Sequence, residues 1–191
     1  METSKKILAL DSSGLVASVA VVEGNSTYSN LLAEYTVNYK KTHSQTLLPM
    51  LDEIANMTEL DLTTIDAIAI AAGPGSFTGL RIGSATAKGL GLALKKPLIS
   101  IPTVDALAYN LYGTDRLICP IMDARRNQVY TGIYEFRGNT MEVLEPQMAV
   151  DIEVIVEKLC ERQRDVIFLG DGVPVFKDKL CNGLMEKLHD C

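Results

Sequence analysis

Ala67-Ile68-Ala69-Ile70-Ala71-Ala72-Gly73-Pro74-Gly75-Ser76-Phe77-Thr78-Gly79-Leu80-Arg81-Ile82-Gly83 is the stretch on which the fold turns. Its first six residues are apolar without alternation, the pattern of a strand buried on both faces in a parallel sheet. The run is far short of the roughly 20 residues that cross a bilayer. Gly73-Pro74-Gly75 then breaks the strand, and a helix is expected from Gly79 to Lys95. A buried strand, a glycine turn and a helix in that order make the core of an α/β unit.

Upstream, Ile7 to Leu10 reads as a strand, Asp11-Ser12-Ser13-Gly14 as a turn and Val16 to Val22 as a second strand, so a hairpin is expected. Leu31 to Tyr39 alternates as a third strand. Leu47, Leu48, Leu51, Ile54 and Ala55 recur at helical spacing, giving a helix from Ser44 to Met57. Downstream, Pro97 to Ile101 is a strand and Asp105 to Leu111 a helix. The order then recurs: strands at Leu117 to Met122, Val129 to Phe136 and Met141 to Val150, a helix at Ile152 to Glu161 and a strand at Val166 to Leu169. Asp123 echoes Asp11, and Gly170-Asp171-Gly172 echoes the turn at Gly73, at unequal offsets. The expected architecture is therefore α/β, two domains facing across a cleft, residues 1–101 and a smaller 102–191.

Composition narrows the chemistry. Among 191 residues, 18 are basic and 24 acidic, for a formal charge of −6. Lys40-Lys41, Lys95-Lys96 and Arg125-Arg126 are isolated pairs and not a stripe, so RNA is expected to bind only through a partner. Lys5-Lys6 and the apolar residues after them end at Asp11, too soon for a signal peptide, and a cytoplasmic location is expected. Cys119, Cys160, Cys181 and Cys191 form no C-x-x-C pair, and His43 and His189 are the only histidines. No metal site is expected from such ligands.

Gly73 to Gly79 sits where a strand meets a helix, and free backbone N–H groups there can hold an anion. Neither G-x-x-x-x-G-K-[ST] nor G-x-G-x-x-G is spelled, since Thr78 stands where the third glycine belongs. Asp11, Ser12, Ser13, Gly73, Gly75, Ser76 and Thr78 are thus candidates for a vestigial phosphate site, against the alternative of plain turn chemistry. A triad of Ser76, His43 and an aspartate is not supported, because G-x-S-x-G is missing.

The helix beyond Gly79 carries Arg81, Lys88 and Lys95 on one narrow stripe, with Gly79, Gly83, Ala87 and Gly91 forming a ridge without side chains. Such a ridge admits either a second subunit or the chain's own sheet. A partner interface is expected on these two helices, at Leu47, Met50, Leu51, Ile54, Gly79, Arg81, Gly83, Ala87 and Gly91.

Ile7 to Ser13, His43-Ser44 with Leu47-Leu48-Pro49, Ala72 to Gly83, and Asp123-Ala124-Arg125-Arg126 with Val129-Tyr130 together resemble the TsaB (YeaZ) family over nearly the whole chain. The resemblance implies two ribonuclease H-like domains of the actin/Hsp70/sugar-kinase type. It also implies a non-catalytic, dimerising and activating role in threonylcarbamoylation of adenosine 37 in tRNAs reading codons that begin with A. The implied partners are a TsaD-like transferase and a TsaE-like ATPase, which use the ATP and the metal; this chain would bind no cofactor of its own. Where TsaD-like relatives carry a metal-binding His-x-x-x-His pair, the matching positions here are Thr103 and Leu107. Relatives continue past the position of Cys191 with a helix that returns to the first domain, which that domain is expected to need. The alternative is an enzyme in its own right, a glycoprotease-like peptidase or a kinase-like phosphotransferase.

Overall fold

The computed structural model describes residues 3–39 and 43–189, with side chains through Leu184. Lys40-Lys41, Cys191 and the His189 side chain lie outside the described part. The chain divides into two compact units, one ending at Thr103 and the other starting at Val104.

In the first unit, Lys5–Asp11 (β1) and Ala17–Gly24 (β2) pair antiparallel through the expected hairpin, and Ser29–Val37 (β3) adds beyond β2. Ala67–Ala71 (β4) runs parallel to β1, and Leu98–Ile101 (β5) runs parallel to β4. The sheet order is β3-β2-β1-β4-β5. Period-two alternation turns Leu8 and Leu10 of β1 and Ala17, Val19 and Val21 of β2 to one face, where they are buried. Two helices cover that face: His43–Met57 (α1) through Leu47, Met50, Leu51 and Ile54, and Phe77–Leu94 (α2) through Ala87. The β4 strand, lying inside the sheet, buries Ala67, Ile68, Ile70 and Ala71 as its unbroken apolar run requires.

The second unit repeats the plan. Leu117–Arg125 (β6), Gln128–Arg137 (β7) and Thr140–Asp151 (β8) form an antiparallel meander after the short helix Thr103–Tyr109 (α3). Ile152–Arg162 (α4) leads to Val166–Leu169 (β9), which pairs parallel to β6, and the order is β8-β7-β6-β9. Leu117, Cys119 and Ile121 face α4 through Ile152, Ile155 and Leu159, while Ile118, Met122 and Tyr134 pack with Val104 and Ala108 of α3. Three antiparallel strands followed by parallel strands reached through helices is the ribonuclease H-like plan; the first unit has two such parallel strands, β4 and β5, and the second has one, β9.

A final helix, Val173–His189 (α5), is not expected from the sequence pattern. Pro174 and Gly183 look like breakers there, and neither acts as one. In the first turn no intrahelical partner awaits a proline's missing N–H. Gly183 is where α5 meets α4: a Cβ on it would fall 2.9 Å from Val156 Cγ1. Among the described residues, no helix is long and apolar enough to cross a membrane.

Candidate functional site

The turn between β1 and β2 and the glycine loop after β4 meet. Parallel pairing of β1 with β4 brings their C-terminal ends side by side, so Ser12 and Ser13 lie against Gly75, Ser76 and Gly79. The joint is closed by hydrogen bonds. Asp11 Oδ1 accepts the Ser13 N–H at 2.7 Å, and the Ser13 carbonyl accepts the Ser76 N–H at 2.6 Å. Buried Ser12 donates its hydroxyl to the Gly79 carbonyl at 2.9 Å. Ser76 caps α2, its Oγ accepting the Gly79 N–H at 3.2 Å. Gly73 gives its N–H to Thr103 Oγ1 at 3.2 Å, and Thr103 returns its own N–H to the Gly73 carbonyl at 2.8 Å.

At the spot where a phosphate would need donors, the N–H groups of Gly73, Ser76 and Gly79 therefore already have partners inside the chain. The fit is tight as well. A Cβ on Gly75 would stand 2.3 Å from the Ser13 carbonyl oxygen, and one on Gly79 would stand 2.0 Å from that of Ser12. Glycine is needed here for close backbone approach. Thr78, the remaining candidate, lies exposed on the first turn of α2. His43, at the start of α1, has Nε2 2.9 Å from the Gly14 carbonyl and helps to seat the same hairpin turn.

The interface residues expected from sequence need correction. Leu47, Met50, Leu51 and Ile54 are at most 3% exposed, in the core between α1 and the sheet. Gly79, Gly83, Ala87 and Gly91 do form a ridge, and it faces inward. A Cβ on Gly83 would meet Ser12 Oγ at 2.4 Å and Ile70 Cδ1 at 3.0 Å, and one on Gly91 would meet Leu98 Cδ2 at 2.9 Å. The missing side chains let α2 lie close on its own sheet. Of the nine, only Arg81 faces solvent, its guanidinium 3.9 Å from the Phe77 ring centroid.

The outward side of these helices is the part that sequence reasoning missed. Phe77, Arg81, Ala85, Lys88 and Leu92 follow one another along exposed α2, with Phe77 68% and Leu92 83% exposed. Leu48 and Met57 stand exposed on α1. The Arg81 and Lys88 stripe was the available signal, since charges mark the solvent side and the ridge opposite them must then be internal.

In the first unit the Thr63 and Lys6 N–H groups hold the Asp61 and Asp66 carboxyls, respectively, below the usual range, and the other perturbed ionisable groups lie in the second unit and hold structure. Glu135 is buried, and hydrogen bonding to Arg164, helped by Arg137, keeps its carboxyl below the usual range. Lys158, with Arg162, lowers Glu145 in the same way. Burial pushes the Cys119 thiol up to about 12. Burial, reinforced by a hydrogen bond to Asp105, also raises the Tyr134 hydroxyl. Among the described residues, no three His, Cys, Asp or Glu side chains are grouped to hold a metal ion.

A family model described as TsaD, tRNA N6-adenosine threonylcarbamoyltransferase, matches residues 30–190. The Bacillus subtilis protein named tRNA threonylcarbamoyladenosine biosynthesis protein TsaB is 35% identical over 174 residues, covering 91% of this chain and 74% of that one. The chain belongs to the TsaB family. The Escherichia coli TsaB protein is 30% identical over 183 residues, again covering 91% of this chain and 74% of the relative. A solved structure from Pseudomonas aeruginosa, described as an uncharacterized protein with similarity to peptidase YEAZ, superposes with a TM-score of 0.68 at 30% identity. That likeness covers 78% of this chain and 68% of the other, so this member shares the fold of its solved relative as well as its sequence.

Proposed function

We propose that this chain is a non-catalytic subunit of the cytoplasmic machinery that places a threonylcarbamoyl group on adenosine 37 of tRNAs reading codons that begin with A. The observation that carries the reading is the closed joint between the Asp11 turn and the glycine loop, whose Gly73, Ser76 and Gly79 N–H groups are held by Thr103, Ser13 and Ser76. Phosphoryl transfer depends on donors preorganised toward the substrate, and here these three are turned inward. The Thr103 hydroxyl, at a position where the resemblance places a metal histidine in TsaD-like relatives, fastens the loop instead. The names of the relatives support the pathway. In this reading a TsaD-like subunit performs transfer, a TsaE-like subunit hydrolyses ATP, tRNA is met through the complex, and the chain alone is a homodimer.

The docking face, revised from the sequence expectation, is the outward stripe Phe77, Arg81, Ala85, Lys88 and Leu92 with Leu48 and Met57 of α1. Exposed apolar side chains beside cations are the kind of surface that partners bury. The test is affinity between this chain and a TsaD-like protein by sedimentation, for the parent and for Leu92→Glu. Burying an unpaired carboxylate at an interface weakens binding roughly tenfold or more, while the melting temperature stays constant because Leu92 is 83% exposed. Unchanged affinity for both the partner and a second copy places the interface elsewhere.

The second reading, a peptidase, is favoured by one observation, the description of the Pseudomonas protein as similar to peptidase YEAZ. Turnover of a peptide substrate by the purified chain, abolished by Ser76→Ala, would establish it.

A further inference from the structure

We infer that the outer edge of the first unit's sheet, residues 33–37 of β3, is a pairing surface for the same edge of a second copy of this chain. An edge strand presents a row of unpaired N–H and C=O groups, and folded proteins blunt such rows with short strands, prolines, charges or bulges. Among the described residues the two sheets have four edges, β3, β5, β8 and β9. β5 and β9 are short, at four residues each. β8 is longer, but Pro146 stands in its middle and its pairing with β7 breaks register twice. β3 has nine residues without a proline or a lysine, and Glu34 is its single charge. Its protection is one bulge: Val21 pairs with Ala33 and Val22 with Leu31, leaving Leu32 as the extra residue. Beyond that bulge, residues 33–37 pair with β2 without a break, so their other side is a regular, open edge.

The side chains along this run suit a copy of themselves. Tyr35, opposite buried Val19, lies on the helix-covered face and is 43% exposed at the rim of the sheet. Ala33 and Val37 lie on the same face, partly buried against the core. A two-fold antiparallel pair is centred on one residue, which meets its own image. Tyr35 is the middle of the regular run, and centring there sets Tyr35 against Tyr35 of the copy, Ala33 against Val37 and Glu34 against Thr36. The aromatic pair and the small-with-branched pairs continue the apolar face across the joint.

The one charge is accommodated as well. Glu34 Oε1 accepts the Thr36 hydroxyl at 2.7 Å, and Thr36 Oγ1 lies 2.9 Å from Ser18 Oγ on the same face. In the pair, each carboxylate faces a threonine of the other copy. Centring one residue earlier would oppose the two glutamates, and like charges directly opposite are destabilising. Centring on Ala33 would carry the pairing into the bulge. A two-fold contact closes on itself, so association through this edge stops at two copies. A five-residue edge covers well under the about 800 Å² per copy of a standard interface, so the pair is weak and forms at high protein concentration. It leaves the outward stripe of α2 free and is separate from the docking face proposed above.

The test is cross-linking of the full chain. Directly opposite residues of an antiparallel pair have Cα atoms about 4.5–5.5 Å apart, inside the range that a disulfide spans. Tyr35→Cys and Leu31→Cys are incubated with oxidised glutathione over a range of protein concentrations, with the parent as control for exposed Cys181. Tyr35→Cys is expected to give a covalent dimer; Leu31→Cys, set opposite Tyr39 in this register, and the parent are expected to give none. Adding Leu92→Glu should leave the Tyr35→Cys yield unchanged. Sedimentation in the Leu92→Glu background is the second measurement. There Tyr35→Lys, which sets like charges at the centre and removes the aromatic pair, should raise the dissociation constant about tenfold. Circular dichroism shows whether Tyr35→Lys is folded; where it is not, the cross-link decides alone. No dimer from Tyr35→Cys, equal cross-linking of Leu31→Cys, loss of the dimer with Leu92→Glu, or undiminished association of folded Tyr35→Lys overturns the pairing.

Discussion

Gly79→Ala tests the packing of α2 directly. The added methyl would lie 2.0 Å from the Ser12 carbonyl oxygen, where no Cβ approaches heavy atoms closer than about 3.0 Å, so the hairpin turn or the helix must move by about 1.0 Å. The turn cannot move freely. The Ser12 hydroxyl is bonded to the Gly79 carbonyl at 2.9 Å, and the Ser13 carbonyl takes the Ser76 N–H at 2.6 Å. Overpacking costs about 1–3 kcal/mol, and straining a buried hydrogen bond costs about 1 kcal/mol more. Replacing a helical glycine with alanine returns up to about 1 kcal/mol. The expected net loss is about 2 kcal/mol, which in a chain of this size lowers the melting temperature by roughly 4–8 °C. Gly89→Ala is the internal control, because a Cβ there meets nothing within 4 Å. It should stabilise by up to about 1 kcal/mol. Urea unfolding followed by circular dichroism measures both variants. If Gly79→Ala is as stable as the parent, or gains as much as Gly89→Ala, the ridge does not pack against the hairpin turn and the inward orientation of α2 is wrong.

Acid should weaken the second unit through Glu135 and Glu145. Both carboxyls are held below their usual range by cations in the folded state, so their contribution is complete above the unfolded value near pH 4.3 and is lost as pH falls through the lower folded values. Glu135→Gln should cost about 1–3 kcal/mol at neutral pH, and urea midpoints measured against pH should show that difference shrinking below about pH 4; a difference that grows on acidification would contradict the pairing. In alkylation mapped by mass spectrometry, exposed Cys181 should react in the native protein, whereas buried Cys119, its thiol pushed up to about 12, should react only in denaturant. Native-state labelling of Cys119 would show that the β6 core opens.

The strands were legible because each had one dominant pattern. Alternation in β1 and β2 marked one buried face, and the unbroken run Ala67–Ala72 marked a strand inside a sheet. The direction of α2 was harder to read. Spacing shows that Gly79, Gly83, Ala87 and Gly91 share a side, but an internal contact and a subunit contact make the same demand for small residues. The opposite stripe of Arg81 and Lys88 could have settled it. The α5 helix was not read from the sequence: Pro174 is tolerated only because it sits in the first turn, and Gly183 has its reason in Val156 of a neighbouring helix. At the site, sequence showed that the Asp11 turn and the Gly73 loop each had the residues for anion chemistry. It could not show that the two loops satisfy each other, because hydrogen bonds between Ser13 and Ser76, or Thr103 and Gly73, join residues far apart in the chain.

That this chain serves a catalytic partner and does not itself transfer is a matter for reconstitution. Threonylcarbamoyl transfer to adenosine 37 is measured on tRNA with a TsaD-like protein, a TsaE-like protein, ATP and a threonylcarbamoyl donor, with and without this chain. Product is expected in the complete mixture, little without this chain, and none from this chain alone. Transfer by the isolated chain, or an undiminished rate in the mixture that lacks it, would overturn its role as a non-catalytic activating subunit.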